Sequence, residues 1–405
     1  MAEAVVLGAG KSGRAAAALL ERQGIRPVVL DGADVFPEGE FAFAVVSPGI
    51  ALTHPWIVEA KRRGLPLKSE LQLGCEELRR QGWKLLAVTG SKGKSSVVKV
   101  VADALSLAGR RAVPCGNYGL PVCEVAVSTV QRFDDSTVFP WAVVEVSSFM
   151  METTELPSDT FEAAAILNLQ EDHLDRHGSV EIYHGLKRKL LQMAKMQFDL
   201  SPYPDFEALY RAFPDDDVRD FLGGSYFDND VLAPNGVAAL ALMLQGAKID
   251  RTSARRAFDG FEPLPHRMNL VAEIGGVRYV DDSKATSISA LIAGVKMCRP
   301  FVRLIAGGLP KGDDPKMALT TLTERVKKVY LIGQSAEAFS AAWKDAVDCE
   351  ICGTMDRAAE RARHEAEKGE TVLLSPGTAS FDQFQSFGER GEVFARLVKK
   401  ERQDK

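Results

Sequence analysis

The chain has 405 residues, 46% of them hydrophobic, and carries a formal net charge of −5 at pH 7. This length predicts two or three domains, and the apolar content excludes an intrinsically disordered chain. The negative charge argues against a nucleic-acid partner, and no apolar run approaches the ~20 residues that a membrane-spanning helix needs.

Residues 1–82 form the first predicted domain, in which strands alternate with helices. The strand at 4–7 has no basic segment before it, so we expect no signal peptide and a cytoplasmic location. The turn Gly8-Ala-Gly-Lys-Ser-Gly13 and a helix follow, and the next strand ends at Asp31. This order predicts a Rossmann-like parallel sheet with a phosphate-binding first turn, and Asp31 lies where a ribose-binding acid is found.

Residues 83–264 form the second predicted domain, and its most informative stretch is Ala87-Val-Thr-Gly-Ser-Lys-Gly-Lys-Ser-Ser96. This segment follows an apolar strand and begins a helix that extends to about 107. Gly90 and Gly93 let backbone amides approach an anion, Lys94 adds a positive charge, and Ser95 offers a hydroxyl to Mg²⁺. The glycines are closer together than in the common P-loop, so an ordinary helix-initiating loop stays open as an alternative.

Two further segments of this domain follow predicted strands and carry acids. Glu145 ends the strand at 141–146, where a carboxylate is well placed to bind Mg²⁺. Asp172-His-Leu-Asp-Arg-His177 follows the strand at 163–169, and His173 with Asp172 is able to bind a metal or orient a nucleophile. For both segments a solvated polar loop is the alternative. Lys187 lies on a helix predicted at 182–194, where a lysine is normally solvated.

The remainder of the second domain is less regular. Residues 199–230 are acidic and rich in proline and phenylalanine, which predicts irregular structure with short helices. A clearer helix is predicted at 235–244. Residues 258–265 contain two prolines and a glycine and are interpreted as a linker to the third domain.

Residues 265–405 form the third predicted domain, with strands at 277–280, 302–306, 329–332 and 371–374 and helices at 316–327, 336–346, 356–368 and 388–400. Three of its strands end in polar segments, which contain Asp282-Ser-Lys-Ala-Thr286, Lys311 and Ser380. Since parallel strands end at one edge of a sheet, these segments predict a ligand crevice. Cys349 and Cys352 lack a second pair of ligands, which argues against a zinc site.

The predicted fold class is therefore α/β, with a Rossmann-like domain at each end and a P-loop-type ATPase domain between them. The order of motifs resembles the Mur ligase family over almost the whole chain. The motifs that carry this resemblance are Ser47-Pro-Gly-Ile50, Thr89-Gly-Ser-Lys-Gly-Lys-Ser95, Gly116-Asn117, Glu145-Val-Ser-Ser-Phe149, Asp172-His-Leu-Asp-Arg-His177, His266-Arg267, Asp282-Ser-Lys-Ala-Thr286, Gly307-Gly308 with Lys311, and Leu373-Leu-Ser-Pro376 through Asp382-Gln-Phe384.

The resemblance implies an ATP-dependent amide ligase of peptidoglycan precursor synthesis. Such an enzyme adds an amino acid to a UDP-N-acetylmuramoyl substrate through an acyl phosphate. A relative that adds diaminopimelate carries an Asn-Pro-Arg motif, which this sequence lacks. The implied partners are therefore UDP-N-acetylmuramoyl-L-alanine and D-glutamate, with ATP and two Mg²⁺ ions as cofactors, and we expect a monomer.

The resemblance also implies roles for individual residues. Catalytic roles fall to Lys94, Asn117, His173 and Lys187. The implied nucleotide contacts are Gly90, Ser91, Lys92, Gly93, Lys94, Ser95, Ser96, Asn235, Arg267 and Asp282. The UDP-sugar contacts are Gly10, Lys11, Ser12, Gly13, Asp31, Ser47, Gly49, Asn117 and Ser147. D-glutamate would be bound by Lys284, Thr286, Lys311, Ser380 and Phe387. The metal ligands would be Ser95, Glu145, His173 and Lys187, the last as a carbamate.

The chain departs from the family pattern near the nucleotide. Lys92 stands where the family has asparagine, and only Asn235 remains of the usual His-Asn-x-x-Asn. Another ligase of the superfamily, such as a folylpolyglutamate synthase, is an alternative, although such enzymes lack the uridine-binding domain. A regulatory or scaffold protein derived from a ligase is a second alternative, and a dehydrogenase is a third.

Overall fold

A computed structural model describes residues 2–128, 139–203, 218–229 and 231–400. The chain divides into two compact units, Met1–Asp228 with Leu232–Phe261, and Asn229–Val231 with Glu262–Lys405. The predicted α/β class is confirmed, because the sheets are largely parallel and helices connect their strands. The division into three domains stays a prediction. About half of the predicted irregular stretch 199–230 lies outside the described residues. No described helix is long and apolar enough to cross a membrane.

The first unit begins with a four-stranded parallel sheet of order β2-β1-β3-β4. Its strands are β1 (Glu3–Leu7), β2 (Arg26–Leu30), β3 (Ala44–Val46) and β4 (Leu67–Ser69), and its helices are α1 (Lys11–Arg22), α2 (Pro55–Arg62) and α3 (Glu70–Arg80). Strand β1 is apolar after its first residue because both faces are covered. Ala4 and Val6 belong to the hydrophobic core that includes α1, whereas Val5 and Leu7 belong to the core on the α2 side.

A second, five-stranded sheet of the first unit is entirely parallel and has the order β6-β7-β5-β8-β9. Its strands are β5 (Lys84–Thr89), β6 (Ala112–Gly116), β7 (Trp141–Glu145), β8 (Phe161–Ile166) and β9 (Ala194–Asp199). One hydrophobic core joins residues of this sheet to those of the first sheet through α3, with Leu71 and Leu78 among its buried members. This shared core explains why the two sheets belong to one compact unit.

The helices of the second sheet include those predicted at about 97–107, 182–194 and 235–244, together with others that were not predicted individually. They are α4 (Lys94–Leu107), α5 (Val122–Ser128), α6 (Ser148–Met151), α7 (Leu174–His177), α8 (Val180–Leu191), α9 (Val218–Leu222), α10 (Ala233–Ala241), a π-helix at Leu242–Gly246, and α11 (Arg251–Asp259). The helix predicted to reach 194 ends at Leu191, and Ala194 instead begins the edge strand β9. The prediction missed this strand because β9 is half polar, with Lys195 exposed and Phe198 buried.

The second unit contains a six-stranded sheet of order β10-β11-β15-β12-β13-β14, in which only β10 is antiparallel to its neighbour. Its strands are β10 (Asn269–Ile274), β11 (Val277–Asp281), β12 (Val302–Gly307), β13 (Val326–Ile332), β14 (Asp348–Gly353) and β15 (Thr371–Leu374). Strand β10 was missed, because it is a partly exposed edge strand without an apolar run.

The helices of this unit cover both faces of the sheet. They are α12 (Ile288–Met297), a 3₁₀ turn at Pro315–Ala318, α13 (Leu319–Arg325), α14 (Ala336–Trp343), α15 (Met355–Glu365) and α16 (Phe387–Lys399). The helix predicted at 316–327 is thus shorter, because β13 already begins at Val326. Cys349 and Cys352 belong to the cores on opposite faces of the sheet, so the two thiols do not face a common ligand.

Candidate active site

The turn between β5 and α4 has the geometry of a phosphate-binding loop. Gly93 is the N-cap of α4 and has φ 86°, a left-handed conformation that favours glycine. A Cβ atom at Gly93 would lie 2.3 Å from Nδ2 of Asn235, so the site also requires glycine for space. The first backbone amides of α4 have no partner within the helix and therefore favour an anion.

Asn168 fixes the conformation of this loop, although the sequence analysis gave it no role. Its Oδ1 accepts a hydrogen bond from the Lys92 amide at 2.9 Å, and its Nδ2 donates to the Lys92 carbonyl at 3.0 Å. The Asn168 carbonyl accepts from the Ser91 amide. The sequence signal that could have identified Asn168 was an asparagine at the end of a predicted strand, in the same domain as the glycine-rich loop.

Two lysine side chains converge on the carbonyl oxygen of Gly90. Nζ of Lys94 donates to it at 2.8 Å and also to the Ser91 carbonyl, and Nζ of Lys187 donates to it at 2.9 Å. Lys187 is only 2% exposed, contrary to the solvated position expected for a lysine on this helix. Burial, with a smaller contribution from Lys94, lowers the pKa of Lys187 to about 7.

Glu145 organises a cluster of oxygen ligands beside the loop. Its carboxylate accepts hydrogen bonds from Oγ of Ser95 at 2.8 Å and from Nδ2 of Asn117 at 2.7 Å. A hydroxyl and a carboxylate are ligands that Mg²⁺ prefers, and this ion usually completes its coordination with water and substrate phosphates. Within the described ranges, no group of three or more histidines, cysteines or acids forms a complete metal site. The residues present therefore fit a magnesium ion that a nucleotide also coordinates.

Asn235 provides a second sign that this loop binds a ligand. Its side chain is almost fully buried against Gly93, and Oδ1 has no hydrogen-bond partner among the described residues. An unpaired buried acceptor costs about 1–3 kcal/mol, which a donor group of a ligand would recover. Asn235 thus fits a nucleotide-binding role, although the rest of the family motif before it is missing.

The segment after β8 packs against the phosphate-binding loop. His173 has a left-handed backbone, lies 3.6 Å from the Asp172 carboxylate and packs on the ring of Phe149. The hydroxyl of Tyr183 lies 3.1 Å from Oγ of Ser91. The His173 ring lies 6.1 Å from the ring of Tyr183, and its side chain is about half exposed.

Arg176, which the sequence analysis quoted only as part of a motif, links this segment to the first sheet. Its guanidinium pairs with Glu152 at 2.6 Å and donates to the carbonyls of Pro48 and Ile50. The loop after β3, which carries Ser47 and Gly49, is thereby tied to the segment that carries His173. Ser147 is the N-cap of α6, which follows β7.

The first turn of the chain brings together the other residues predicted for the UDP-sugar. Gly10 caps α1, which begins with Lys11, Ser12 and Gly13. Oγ of Ser47 donates to the Gly8 carbonyl at 3.1 Å, and a Cβ at Gly13 would collide with that carbonyl. Nζ of Lys11 donates to the carbonyl of Gly119, two residues beyond Asn117. Asp31 is exposed at the end of β2.

The predicted residues of the second unit lie at the carboxyl ends of β11, β12 and β15. Nζ of Lys284 lies 3.8 Å from the centre of the Phe387 ring, and Nζ of Lys311 is 3.3 Å from Oγ1 of Thr286. Burial, together with the charges of Arg267 and Lys311, lowers the pKa of Lys284. These groups form a cationic cluster, which suits an anionic ligand.

Asp282 and Ser380 are buried beside this cluster. The Asp282 carboxyl accepts a hydrogen bond from Oγ of Ser375 at 2.9 Å, and burial raises its pKa to about 7. Arg267 follows His266, whose backbone is left-handed. The positive charge of Arg267 lowers the pKa of Asp282, whereas burial raises it. In the first unit the structure brings Ser95 and Asn117 to Glu145, and Lys94 and Lys187 to Gly90. In the second unit it pairs Lys284 with Phe387 and Lys311 with Thr286.

Comparisons with known proteins match segments of both compact units. The family described as Mur ligase middle domain matches residues 88–198, and the family described as Mur ligase, glutamate ligase domain matches residues 266–377. The solved structure of a MurF ligase from Thermotoga maritima in complex with ADP has a TM-score of 0.56 at 16% identity, covering 89% of this chain and 95% of that chain. A bifunctional folylpolyglutamate synthase/dihydrofolate synthase from Yersinia pestis has a TM-score of 0.52 at 18% identity, covering 86% and 99%. These structures establish the fold alone.

The curated relatives are closer in sequence. A protein of Koribacter versatilis is 32% identical, with 98% of this chain and 97% of the relative covered, and one of Nitratidesulfovibrio vulgaris is 34% identical, with 98% and 95% covered. The chain therefore belongs to the Mur ligase family. Within that family, both of these relatives carry the name UDP-N-acetylmuramoylalanine--D-glutamate ligase.

The buried Asp282 carboxyl predicts a pH-dependent stability. Because its pKa is raised from 3.8 to about 7 on folding, its stabilising contribution is complete below about pH 4 and is lost as the pH rises through 7. Asp282→Asn keeps the shape without the charge. We compare the melting temperature of Asp282→Asn with that of the wild type at each pH. Between pH 4 and pH 8 we expect this difference to shift in favour of the variant, by about 2–4 °C for each kcal/mol of stability that the wild type loses.

The control is Asp345→Asn at an exposed position of the same unit, where this difference should stay constant with pH. Thermal unfolding of the three proteins across this pH range provides the measurement. Parallel pH profiles for the wild type and Asp282→Asn would contradict the raised pKa of Asp282.

Proposed function

We propose that this protein is an ATP-dependent amide ligase that joins D-glutamate to UDP-N-acetylmuramoyl-L-alanine in peptidoglycan precursor synthesis. The observation that carries the proposal is the arrangement of Lys94, Ser95 and Glu145 around the N-terminus of α4, in a chain whose relatives bear the name of this activity over nearly their full length. A cation, a hydroxyl and a carboxylate at a phosphate-binding loop suit phosphoryl transfer.

The proposed reaction has two steps. The carboxylate of the sugar-linked L-alanine first attacks the γ-phosphate of ATP, which forms an acyl phosphate and releases ADP. The amine of D-glutamate then attacks the acyl carbon, and inorganic phosphate leaves as the amide forms. Lys94 and the amides after Gly93 stabilise the charge on the transferring phosphoryl group. Asn117, held by Glu145, contacts the substrate near that group.

Ser95 and Glu145 would hold one Mg²⁺, and His173 with a carbamylated Lys187 would hold a second, and these ions would neutralise phosphate charge. The family resemblance implies this carbamate, and the burial of Lys187 supports it. A buried amine with a pKa near 7 is substantially neutral at physiological pH, and only the neutral amine adds CO₂. The carbamate would replace a positive charge beside Lys94 with a negative one.

The second unit supplies the proposed D-glutamate contacts. Lys284 and Lys311 are cations that match the two carboxylates of glutamate, and Thr286 and Ser380 add hydroxyls nearby. The ring of Phe387 packs against Lys284 and limits the position of its ammonium group. The three-domain division at 82/83 and 264/265, the monomeric state and the cytoplasmic location are also part of this proposal.

Phosphate release from ATP and Mg²⁺ tests the proposal directly. We expect release only with UDP-N-acetylmuramoyl-L-alanine and D-glutamate together, with a matching mass increase in the nucleotide sugar. L-glutamate, D-aspartate and folate substrates serve as comparison substrates. ATP binding without release in any mixture would favour a regulatory or scaffold protein, and glutamate addition to a folate would favour a folylpolyglutamate synthase.

Lys94→Ala should reduce kcat by about 100-fold or more, because it removes a cation that stabilises the transferring phosphoryl group. Lys61→Ala, at an exposed position on α2, is the matched control and should leave turnover unchanged. Steady-state phosphate release measures both. Near-normal turnover in Lys94→Ala would show that the loop has another role.

Lys187→Ala should also lose activity, but short carboxylates such as acetate or formate should restore part of it. The reason is that the substitution leaves space where a free carboxylate replaces the carbamate. The same additions should fail with Lys94→Ala, whose lost group is a cation. If carboxylates restore neither variant, the carbamate assignment loses its support.

A further inference from the structure

Arg390 is a fully buried cation in the second unit, and the proposed mechanism does not use it. It lies on the first turn of α16 with no exposed surface. Its guanidinium makes four hydrogen bonds: Nε to Oγ of Ser283 at 3.0 Å, Nη2 to the carbonyls of Ser283 at 2.9 Å and Thr378 at 3.1 Å, and Nη1 to the carbonyl of Ala379 at 3.2 Å. Among the described residues all of these partners are neutral oxygens.

A buried charge is costly unless its hydrogen bonds are satisfied. The charges of Asp281 and Asp382 favour the protonated form of Arg390, although neither carboxylate is among its four hydrogen-bond partners. Burial accordingly lowers the pKa of Arg390 to about 10, where the group is still protonated at neutral pH. The four hydrogen bonds offset this cost, and each is made to a loop rather than to a strand or helix. The role of Arg390 is therefore to be found in those loops.

The guanidinium connects the loops that end three neighbouring strands. Ser283 lies in the loop after β11, and Thr378 and Ala379 lie in the loop after β15. Ala379 is in turn paired with Leu309, in the loop after β12, by two backbone hydrogen bonds of 2.9 and 3.1 Å. Oγ of Ser283 also donates to the carbonyl of Phe387 at 2.8 Å.

Each connected loop carries a residue assigned to D-glutamate. Lys284 follows Ser283, Ser380 follows Ala379, and Lys311 lies two residues after Leu309. Phe387 lies one helical turn before Arg390 itself. One side chain thus fixes the relative positions of four proposed substrate contacts.

Arg390 does not itself reach a ligand. Its surface is covered by protein, and a Cβ added to Gly308 would lie 3.1 Å from Nη1 and 2.4 Å from the Ala379 carbonyl. The backbone of Gly308 therefore packs directly on the cluster. A substrate would meet the loops and not the guanidinium.

We propose that Arg390 is a positioning residue for the amino-acid substrate, which acts through Ser283, Thr378 and Ala379 on the loops that bind D-glutamate. This inference rests on the proposed function of those loops. Arginine is required because its planar group presents five N–H donors in a fixed fork. A lysine at this position has its donors on one nitrogen and cannot reach both loops with the same geometry.

The test compares Arg390→Lys with the wild type, using KM for each substrate, kcat and the melting temperature. We expect KM for D-glutamate to rise about tenfold or more, because hydrogen bonds of a charged donor are lost, while KM for ATP and for the nucleotide sugar changes less than twofold. Arg396→Lys, at an exposed position on the same helix, is the matched control and should leave all constants unchanged.

Chemical rescue separates positioning from general stability. Arg390→Ala leaves a space for guanidinium, and a non-denaturing concentration of this ion should lower its raised KM for D-glutamate. The ion should not affect Arg396→Ala. An unchanged KM for D-glutamate in a folded Arg390→Lys protein, or an equal rise for all three substrates, would overturn the proposal.

Ser283→Ala gives a second measurement should the Arg390 variants fail to fold. It removes the hydroxyl that joins Arg390 to the Phe387 carbonyl, so KM for D-glutamate should again rise alone. An unchanged value in that variant would overturn the proposal. A wild-type protein that releases no phosphate with D-glutamate would instead refute the proposed function, and the role of Arg390 would fall with it.

Discussion

Two lysines that share one carbonyl oxygen set the constraint around which the first unit is organised. Nζ of Lys94 and Nζ of Lys187 both donate to Gly90, and one of them is buried. Two ammonium groups so close repel each other, and burial increases that repulsion. The arrangement is stable if one amine is neutral or if an anion lies beside them. Under the proposed function, a nucleotide phosphate would supply that anion, and a carbamate on Lys187 would replace one of the two ammonium groups.

The surrounding residues hold this arrangement in place. Asn168 fixes the backbone of the loop through Lys92, and the left-handed Gly93 lets the loop turn into α4. Glu145 fixes Ser95 and Asn117 on the other side. In the second unit a buried side chain connects the strand-end loops instead. Arg390 hydrogen-bonds the loops after β11 and β15, and the backbone pairing of Ala379 with Leu309 joins the loop after β12 to them.

The sequence predicted the parts of this molecule that depend on local pattern. The apolar runs of β1, β5 and β15 and the glycine spacing of the phosphate-binding loop were sufficient, because both arise from residues adjacent in the chain. Strands β9 and β10 were missed because edge strands keep a polar face, so neither apolar continuity nor strict alternation marks them.

The same limit applies to single side chains. The helical pattern alone would place Lys187 in solvent, and only the family resemblance assigned it a role. Its burial is evident only when β5 and α8 pack together. Arg390 carries no sequence signal, since an arginine on the first turn of a helix is ordinary. The environment of each residue depends on a partner about 100 positions away in the chain. Lys187 donates to Gly90, and Arg390 donates to Ser283.

Specificity within this fold must come from such side chains and not from the framework. A MurF ligase and a bifunctional folylpolyglutamate synthase/dihydrofolate synthase both share the fold with this chain at 16–18% identity, although they bear different names. A common framework therefore does not by itself determine the substrates. The phosphate-binding loop is suited to the phosphoryl transfer proposed for this chain, whereas the loops after β11 and β12 contain Lys284 and Lys311, the cations proposed to bind the two carboxylates of D-glutamate. A change of amino-acid substrate would thus require changes in those loops or in the groups that position them.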